Sequence, residues 1–412
     1  MRFTRSALVL ATASALVLGA CGSDAKSGTT SAATTTAAAT TTSAAGSTSA
    51  ASTPAPTGGT LTLNAIEMLS GSGALYGKAV QEGLQLAADQ VNAKGGVMGQ
   101  QLEIAVSDNA SDDAQTSTLV KKFADDSNVG VIIPPTYQPN FNAACSAATA
   151  AGLPIVSAQS GPPDKAGNTK GLCFTMTTDP VPQVTFTLKA LQDKGMKSFA
   201  MVYDQDNGYV AFQRPNIEAA ATALGIDIKE IGVPGGTTDF GPQITDLINA
   251  APDTTFAFFT IEDASRFMKQ AKDNGYEGGW FDPVSQLTSR RIPDLSDGAA
   301  EGMLSSTPQS ADDVASFKAF LDAYKAKTGN DLDDPTYTGF GYDAVMLVVK
   351  AMTEAGTTTD RAKIQAAIAG TTDACFSICF TQAAADSANA GAFLASDFFL
   401  VELTADGFVA AK

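Results

Sequence analysis

The chain has 412 residues and a formal net charge of −17, from 26 Lys and Arg against 43 Asp and Glu. A negative field of this size repels nucleic-acid phosphates and anionic lipids, which excludes nucleic acid as an expected partner. The sequence contains no His, so it lacks the usual general base and the commonest metal ligand. We therefore expect no metal, no cofactor and no enzymatic activity.

The N-terminus has the pattern of an export signal. Arg2 and Arg5 precede an apolar run, Ala7 to Leu18, that is too short to span a bilayer. The residues Leu18-Gly19-Ala20-Cys21 then resemble the lipobox of bacterial lipoproteins. We expect residues 1–20 to be a signal peptide and Cys21 to be lipidated, with an ordinary secretory signal as the alternative. Two acyl chains on one residue are enough for stable anchoring.

The segment 21–58 is rich in Ser, Thr, Ala and Gly. Such a composition cannot bury enough apolar surface to fold, so we expect a disordered tether. At roughly 150 residues per domain, the rest of the chain is long enough for two domains. The sequence thus predicts an extracytoplasmic body that Cys21 holds on the outer face of the cell membrane.

From Gly59 onward, short apolar strands alternate with helices, which favours parallel sheets covered on both faces. Strands are expected at Thr60–Met68, Gln101–Val106, Val129–Ile133, Leu153–Ser157, Ser198–Tyr203, Ile226–Ile231, Thr255–Thr260 and Gly302–Ser306. Later helices are expected at Asn140–Ala151, Phe240–Asn249, Ala264–Asn274, Asp312–Lys327, Tyr337–Ala355 and Asp360–Ala369.

Three helices carry more specific signals. Val80, Leu84, Ala87 and Val91 recur at helical spacing, and Gly95-Gly96 ends that helix. Asp112 or Asp113 can cap the helix that follows the second strand. Pro215 falls inside the helix expected from about Tyr209, which predicts a late start or a kink.

After Cys21, four cysteines remain, an even number that favours two disulfides in an exported protein. Four cysteines allow three pairings. We favour Cys145 with Cys173, in one predicted layer, and Cys375 with Cys379, whose short spacing closes a small loop. A thiolate metal site is the alternative for the second pair.

The segments SGSGALYG (70–77), VNAKGGVMGQQL (91–102) and AEGM (300–303) together resemble the leucine/isoleucine/valine-binding protein family. These are type I periplasmic substrate-binding proteins of ABC importers, and the resemblance covers essentially all of Gly59 to Lys412. It implies an α/β fold of two Rossmann-like lobes with parallel central sheets, joined by a three-stranded hinge.

The resemblance also implies where the chain passes between lobes. Crossings near Asp179, Thr307 and Phe393 give a first lobe of residues 59–178 and 308–392. The second lobe is then residues 179–307 and 393–412. A small-molecule ligand would bind between the lobes, an ABC permease would be the protein partner, and the protein would be a monomer.

By position in the family motifs, nine residues are candidates for contact with the ligand. They are Ser70, Tyr76, Tyr137, Gln138, Gln159, Ser160, Tyr209, Glu262 and Gln286. Other roles are open for several of them: Gln138 could lie in a surface loop, Ser160 could be a turn residue, and Glu262 could be the first-turn acid of a helix. Tyr209 follows Gly208 in an order reversed from the family pattern.

One departure bears on the ligand. Where branched-chain amino-acid binders carry a Glu that pairs with the α-ammonium, this chain has Val284. A buried ammonium without a counter-ion is costly. Either Asp282, Glu262 or Gln286 substitutes, or the ligand is not an α-amino acid.

The resulting hypothesis is a lipid-anchored solute-binding protein of an ABC importer. Its ligand would be an amino acid or a related small carboxylate or amide. A ligand-sensing subunit of the same fold, regulating a membrane receptor, is the alternative. An anchored hydrolase is disfavoured, because the sequence lacks His and a G-x-S-x-G segment after a strand.

Overall fold

The computed structural model describes residues 58–157, 160–161, 163–164, 166–175, 180–308, 314–382 and 398–411. Cys21, the predicted tether up to residue 57, Gln159 and the predicted crossings near Asp179 and Phe393 lie outside the described residues. Within the described ranges, no helix combines the length and the apolar character needed to cross a membrane.

The first sheet is parallel and is built from the N-terminal part of the chain. Its strands are β1 (Thr60–Glu67), β2 (Gln101–Asp108), β3 (Ile155–Ser157) and β4 (Cys173–Thr175). β1 pairs with β2 and β3 pairs with β4. Parallel bridges from Ile133 to β1 and from Ile132 to β3 connect the two pairs.

The strand predicted at Val129–Ile133 is therefore wrong in extent, since only Ile132 and Ile133 make bridges. At the start of the predicted strand, the Val129 N–H donates to the Asp126 carbonyl in a turn and the Val129 carbonyl accepts from Arg361, so Val129 does not pair with a strand. Pro134 and Pro135, which have no N–H, follow Ile133 and prevent an extension beyond it.

The second sheet has seven strands: β5 (Ser198–Asp204), β6 (Asp227–Val233), β7 (Thr254–Phe258), β8 (Gly279–Asp282), β9 (Leu304–Thr307), β12 (Phe399–Thr404) and β13 (Gly407–Ala410). Their spatial order is β13-β12-β9-β8-β7-β5-β6. Neighbours from β6 to β9 are parallel, whereas β12 and β13 are antiparallel at one edge. A separate antiparallel hairpin consists of β10 (Thr372–Cys375) and β11 (Cys379–Gln382).

Helices cover both sheets. They are α1 (Ala74–Ala93), α2 (Asp113–Ala124), α3 (Gln138–Ala151), α4 (Pro180–Asp193), α5 (Gly208–Leu224), α6 (Gly241–Ala250), α7 (Ile261–Asp273), α8 (Ile292–Leu295), α9 (Ala315–Thr328), α10 (Pro335–Ala355) and α11 (Arg361–Ala369).

Several local predictions are confirmed. The stripe on α1 is buried, Gly95 and Gly96 have φ of 98° and 74°, and Asp112 caps α2 through the Gln115 N–H. Both glycines adopt the left-handed conformation that a non-glycine residue reaches only with strain, which is why the chain can turn there.

Two helix starts differ from the prediction. α5 begins at Gly208, because the Asn207 side chain accepts from the N–H groups of Tyr209 and Val210, so a late start caused by Pro215 is wrong. α7 begins at Ile261 instead of Ala264, because Thr260 lies at its N-cap and accepts from the Asp263 N–H.

Two disulfides join Cys145 to Cys173 and Cys375 to Cys379, the two pairings favoured from the sequence. The first links α3 to β4 inside the core, where both cysteines are fully buried. The second closes the β10–β11 turn. Beneath that turn, Asp343 of α10 accepts from the N–H groups of Ser377 and Ile378.

The described elements form two groups around the two sheets, and α3 of the first group also packs on α5 of the second. We define the first body as residues 58–175 and 314–382, in which α1 packs on α10 and α10 on α9, α11 and β3. The second body is residues 180–308 and 398–411, in which α4 packs on α5 and β9. The lobe boundaries given above stay predictions, because two of the three crossings lie outside the described ranges.

Candidate functional site

A cleft lies between the first body and the second body, with about 1070 Å³ of empty space including its opening to solvent. The first body contributes Met68, Ser72, Gly73, Tyr76, Thr136, Tyr137, Gln138, Ser160, Gly161, Tyr337 and Phe340. The second body contributes Gln183, Asn207, Tyr209, Gln213, Thr260, Val284, Ser285, Gln286, Pro308 and Phe398.

The parallel topology explains why these residues meet. In a parallel sheet, the carboxyl ends of the strands and the N-termini of the following helices lie at one edge. Gly73, Tyr137, Asn207 and Thr260 are the N-caps of α1, α3, α5 and α7, and all four line the cleft. The cleft wall therefore carries the positive ends of four helix dipoles.

Six of the nine candidate residues line the cleft: Tyr76, Tyr137, Gln138, Ser160, Tyr209 and Gln286. Ser70 does not, because its hydroxyl donates to Asp108 and it lies exposed before α1. Glu262 is an exposed residue in the first turn of α7 and is also absent from the lining. Gln159 lies outside the described residues.

The lining contains no Asp, Glu, Lys or Arg among the residues that the structure describes. Its polar groups are hydroxyls and amides, and its apolar groups include six aromatic rings, those of Tyr76, Tyr137, Tyr209, Tyr337, Phe340 and Phe398. A cleft of this composition offers hydrogen bonds and apolar contacts to a bound molecule, without a charged side chain to pair with a ligand charge.

Asp282 shapes one wall of the cleft without lining it. The fully buried carboxylate accepts from Val284 N–H at 3.0 Å and from Leu287 N–H at 2.7 Å. Burial raises the pKa of Asp282 to about 6, and these N–H donors limit the rise. Between them, Ser285 is held at φ 55°, a left-handed conformation unusual for a residue with a side chain. Asp282 thus fixes the loop that presents Val284, Ser285 and Gln286.

Gln286 is the only one of the three possible substitutes for the missing Glu that lines the described cleft. Its amide nitrogen donates to the Phe259 carbonyl at 2.6 Å, which fixes the orientation of the side chain. Its amide oxygen is buried and has no hydrogen-bond partner among the described residues. The Thr136 hydroxyl on the opposite wall is also buried and has no hydrogen-bond partner among the described residues. A buried polar atom without a partner costs about 1–3 kcal/mol, which favours a bound molecule that supplies one.

Tyrosine hydroxyls connect the first body to the second. Tyr76 accepts from Ile261 N–H at 3.1 Å, in the first turn of α7. Tyr137 donates to the Asn207 side chain at 2.8 Å and accepts from Tyr209 N–H at 2.9 Å, at the start of α5. Burial raises the pKa of both Tyr76 and Tyr137, so both hydroxyls keep their protons at neutral pH.

A third such contact comes from Tyr337, whose hydroxyl donates to the Gln286 carbonyl at 3.1 Å. Among the lining residues that were not predicted from the sequence are Tyr337, Thr136 and Gln183. Tyr337 was predicted only as the first residue of a helix, and no local signal places that helix at the cleft. Asn207 could have been found, since an Asn before a helix is an N-cap candidate at the end of a strand.

Comparison with known proteins gives a family match over most of the chain. A family model described as periplasmic binding protein matches residues 60–407. Among curated proteins, the chain is similar to Leu/Ile/Val-binding protein homolog 8 of Brucella abortus (strain 2308). The two are 25% identical over 280 residues, which is 64% of this chain and 68% of that protein.

Two solved structures with bound ligands are also similar. One is the branched-chain amino acid transporter substrate binding protein of Streptococcus pneumoniae in complex with isoleucine (TM-score 0.71, 23% identity, 85% of this chain and 98% of that chain). The other is an ABC transporter solute binding protein of R. palustris in complex with benzoate (TM-score 0.72, 19% identity, 85% of this chain and 95% of that chain).

Proposed function

Because the chain belongs to the periplasmic binding protein family, we propose that it is the solute-binding component of an ABC importer. It binds a small organic solute between two closing lobes and delivers the solute to a permease. The type I periplasmic binding fold expected from the sequence is confirmed by the solved structures of the same fold.

The observation that carries this proposal is the cleft itself. Hydroxyl and amide groups from both bodies converge on one cavity, which contains buried polar atoms that lack a protein partner in the described part of the chain. The relatives with bound isoleucine and bound benzoate support a small solute as the occupant. The related curated protein has a solute-binding name, which supports a role in binding without covalent catalysis.

The proposed location of the protein depends on the segment at Cys21. The lipobox-like segment at Cys21 would place the protein outside the cytoplasm, anchored to the outer face of the cell membrane through lipid alone. The tether would then keep the binding body within reach of its permease, and the protein would act as a monomer.

A thermal-shift screen tests solute binding. The purified chain would be screened with amino acids, amides and aromatic acids at saturating concentration. A true ligand at about 100 times its dissociation constant adds roughly 2.7 kcal/mol to the free energy of unfolding. For transport, we expect deletion of the gene to abolish uptake of that ligand. Intact uptake in the deletion strain would instead favour a sensor role.

The tyrosine contacts predict how closure can be weakened. Tyr76→Phe removes the hydroxyl that accepts from Ile261 N–H but keeps the ring, which packs on Tyr337 at 4.8 Å between centroids. We expect the closed arrangement to lose roughly 0.5–1.5 kcal/mol, so that the ligand-free protein is more open. In small-angle X-ray scattering, the ligand-free Tyr76→Phe protein should therefore have a larger radius of gyration than the ligand-free wild type.

A matched control is Tyr276→Phe, because the Tyr276 hydroxyl bonds to Thr255 within the second body. This variant should keep the radius of gyration of the wild type. An unchanged radius in Tyr76→Phe as well would contradict the role of Tyr76 in holding the two bodies together.

A further inference from the structure

The charge pattern of the cleft disfavours a ligand with an ammonium group. No carboxylate lines the described cleft, and Asp282 uses its oxygens on backbone N–H groups and a serine hydroxyl behind the wall. The N-caps of α1, α3, α5 and α7 lie in the lining and present the positive ends of those helices. A buried cation there would have no counter-ion and would face positive dipole ends.

The same cleft is also poorly suited to an anion near Gln286. No Lys or Arg lines the described wall. At the start of α7, the Ile261 N–H already donates to Tyr76, and at the start of α5 the Tyr209 N–H already donates to Tyr137. The Gln286 atom that has no partner in the described part of the chain is an oxygen, which repels a carboxylate and attracts a hydrogen-bond donor.

Gln286 therefore offers a hydrogen-bond acceptor, its amide oxygen, to a bound molecule. One N–H of its amide donates to the Phe259 carbonyl and the other to the Tyr76 hydroxyl, so turning the amide to offer a donor would break both bonds. Only about 5% of the residue is exposed, so few waters can satisfy the oxygen. The neighbouring wall consists of rings, with Tyr76 against Tyr337 and Phe340 close by in the lining. These surfaces suit a flat apolar group.

Building on the solute-binding function, we propose that the ligand is an uncharged aromatic carboxamide or alcohol whose N–H or O–H donates to the Gln286 amide oxygen. In this arrangement Gln286 is the residue that determines specificity, and it selects against ligands that carry an ammonium or carboxylate at that position.

The test uses compounds that share one aromatic body and differ in the polar group. 3-Phenylpropanamide is a neutral donor, methyl 3-phenylpropanoate is neutral without a donor, 3-phenylpropanoate is an anion, and L-phenylalanine carries an ammonium. Dissociation constants would be measured by calorimetry on the full-length chain. We expect the amide to bind at least roughly tenfold more tightly than each of the others, as one buried hydrogen bond and an avoided buried charge imply.

Gln286→Met removes the acceptor and puts an apolar side chain of similar length in its place. 3-Phenylpropanamide should then lose its advantage over methyl 3-phenylpropanoate. Gln243→Met is the matched control, since the Gln243 oxygen also lacks a partner in the described structure but lies on α6, outside the cleft lining. This control should keep the wild-type preference. Melting temperatures without ligand show whether each variant is folded.

The outcomes distinguish a failure of the role assigned to Gln286 from a failure of solute binding. If L-phenylalanine or 3-phenylpropanoate binds the wild type at least as tightly as the amide, the assignment to Gln286 is overturned while solute binding stands. Retention of the amide preference in Gln286→Met would also overturn it. If no compound, including the amino acids of the wider screen, raises the melting temperature of the wild type, the solute-binding function itself fails.

Discussion

Gly341→Ala is expected to lower the free energy of unfolding by roughly 3 kcal/mol or more, because α1 and α10 are in backbone contact at their crossing. A Cβ on Gly341 would overlap the Val80 carbonyl of α1. Reciprocally, a Cβ on Gly83 would overlap the Thr338 carbonyl of α10. These obstacles are backbone atoms, which move only if the two helices separate.

Separation of the two helices should also disturb the cleft, since α1 carries Tyr76 and α10 carries Tyr337. Urea unfolding would measure the stability change. Gly83→Ala should have a similar effect, and the double variant should lose less than the sum, because a single separation of the helices relieves both overlaps.

Gly241→Ala serves as the control, since the nearest atom to its added Cβ is a side-chain oxygen of Asp239 at 3.4 Å, an ordinary contact. Gly241 begins α6, where Ala is a better helix former than Gly. We expect this variant to be as stable as the wild type or slightly more so. A Gly341→Ala protein with wild-type stability would show that the helix crossing is less tight than described.

Glu67→Gln is expected to stabilise the protein at neutral pH, by roughly 1–3 kcal/mol. Glu67 ends β1 with its side chain fully buried, and neither carboxylate oxygen has a hydrogen bond of normal geometry in the described structure. Burial raises the pKa of Glu67 well above its usual value, and the nearby backbone of Thr136 offsets this only in part. Gln is similar in shape to the protonated acid and never ionises.

The raised pKa of Glu67 determines how the stability of the wild type changes with pH. In the unfolded chain Glu67 has an ordinary pKa of about 4.3. Because the folded pKa is higher, the folded state binds more protons, and wild-type stability falls as pH rises above about 4 toward the folded pKa. Wild type and Glu67→Gln should therefore match near pH 4 and diverge toward pH 7.

Unfolding free energies measured by urea from pH 4 to pH 8 would test this. Asp282 and Asp343, whose pKa values burial raises to about 6 and about 7, act in the same direction, so the variant keeps part of the pH dependence. Glu103→Gln on the exposed face of β2 is the control and should follow the wild type. A constant difference at all pH values would mean that ionisation of Glu67 is not the cause.

Much of the fold could be predicted from residues that act locally. The stripe from Val80 to Val91, the glycine stop at Gly95-Gly96 and the Asp112 cap each involve contacts within a few positions of the chain. The predictions failed where a contact distant in sequence changed the outcome, as at Val129, whose carbonyl accepts from Arg361 instead of pairing with a strand. They also missed β12, whose antiparallel pairing with β9 joins residues as far apart in sequence as Phe399 and Thr307, and β13, which pairs with β12.

The candidate site was predicted in part. Tyr76 was identified by its position in a motif, Tyr137 by the loop after a strand and Gln286 as a substitute near Val284, and all three line the cleft. For Glu262 the sequence left open a cleft-facing position and the first-turn acid of a helix, and the second is confirmed. The cap at Thr260 begins α7 there and leaves Glu262 exposed.

From the sequence alone, many of the helices and strands and the family could be predicted, because periodicity, caps and motifs depend on residue identity at short range. The replacement of a family Glu by Val284 stays a prediction. The tertiary structure decided the rest. Only the folded chain shows that the Asp282 carboxylate accepts from N–H groups of its own loop and that Tyr337 of α10 reaches the opposite wall. The same holds for the Gln286 amide oxygen, which has no partner among the described residues. The physical reason is that burial and hydrogen-bond partners depend on distances between segments far apart in sequence, which local patterns do not encode.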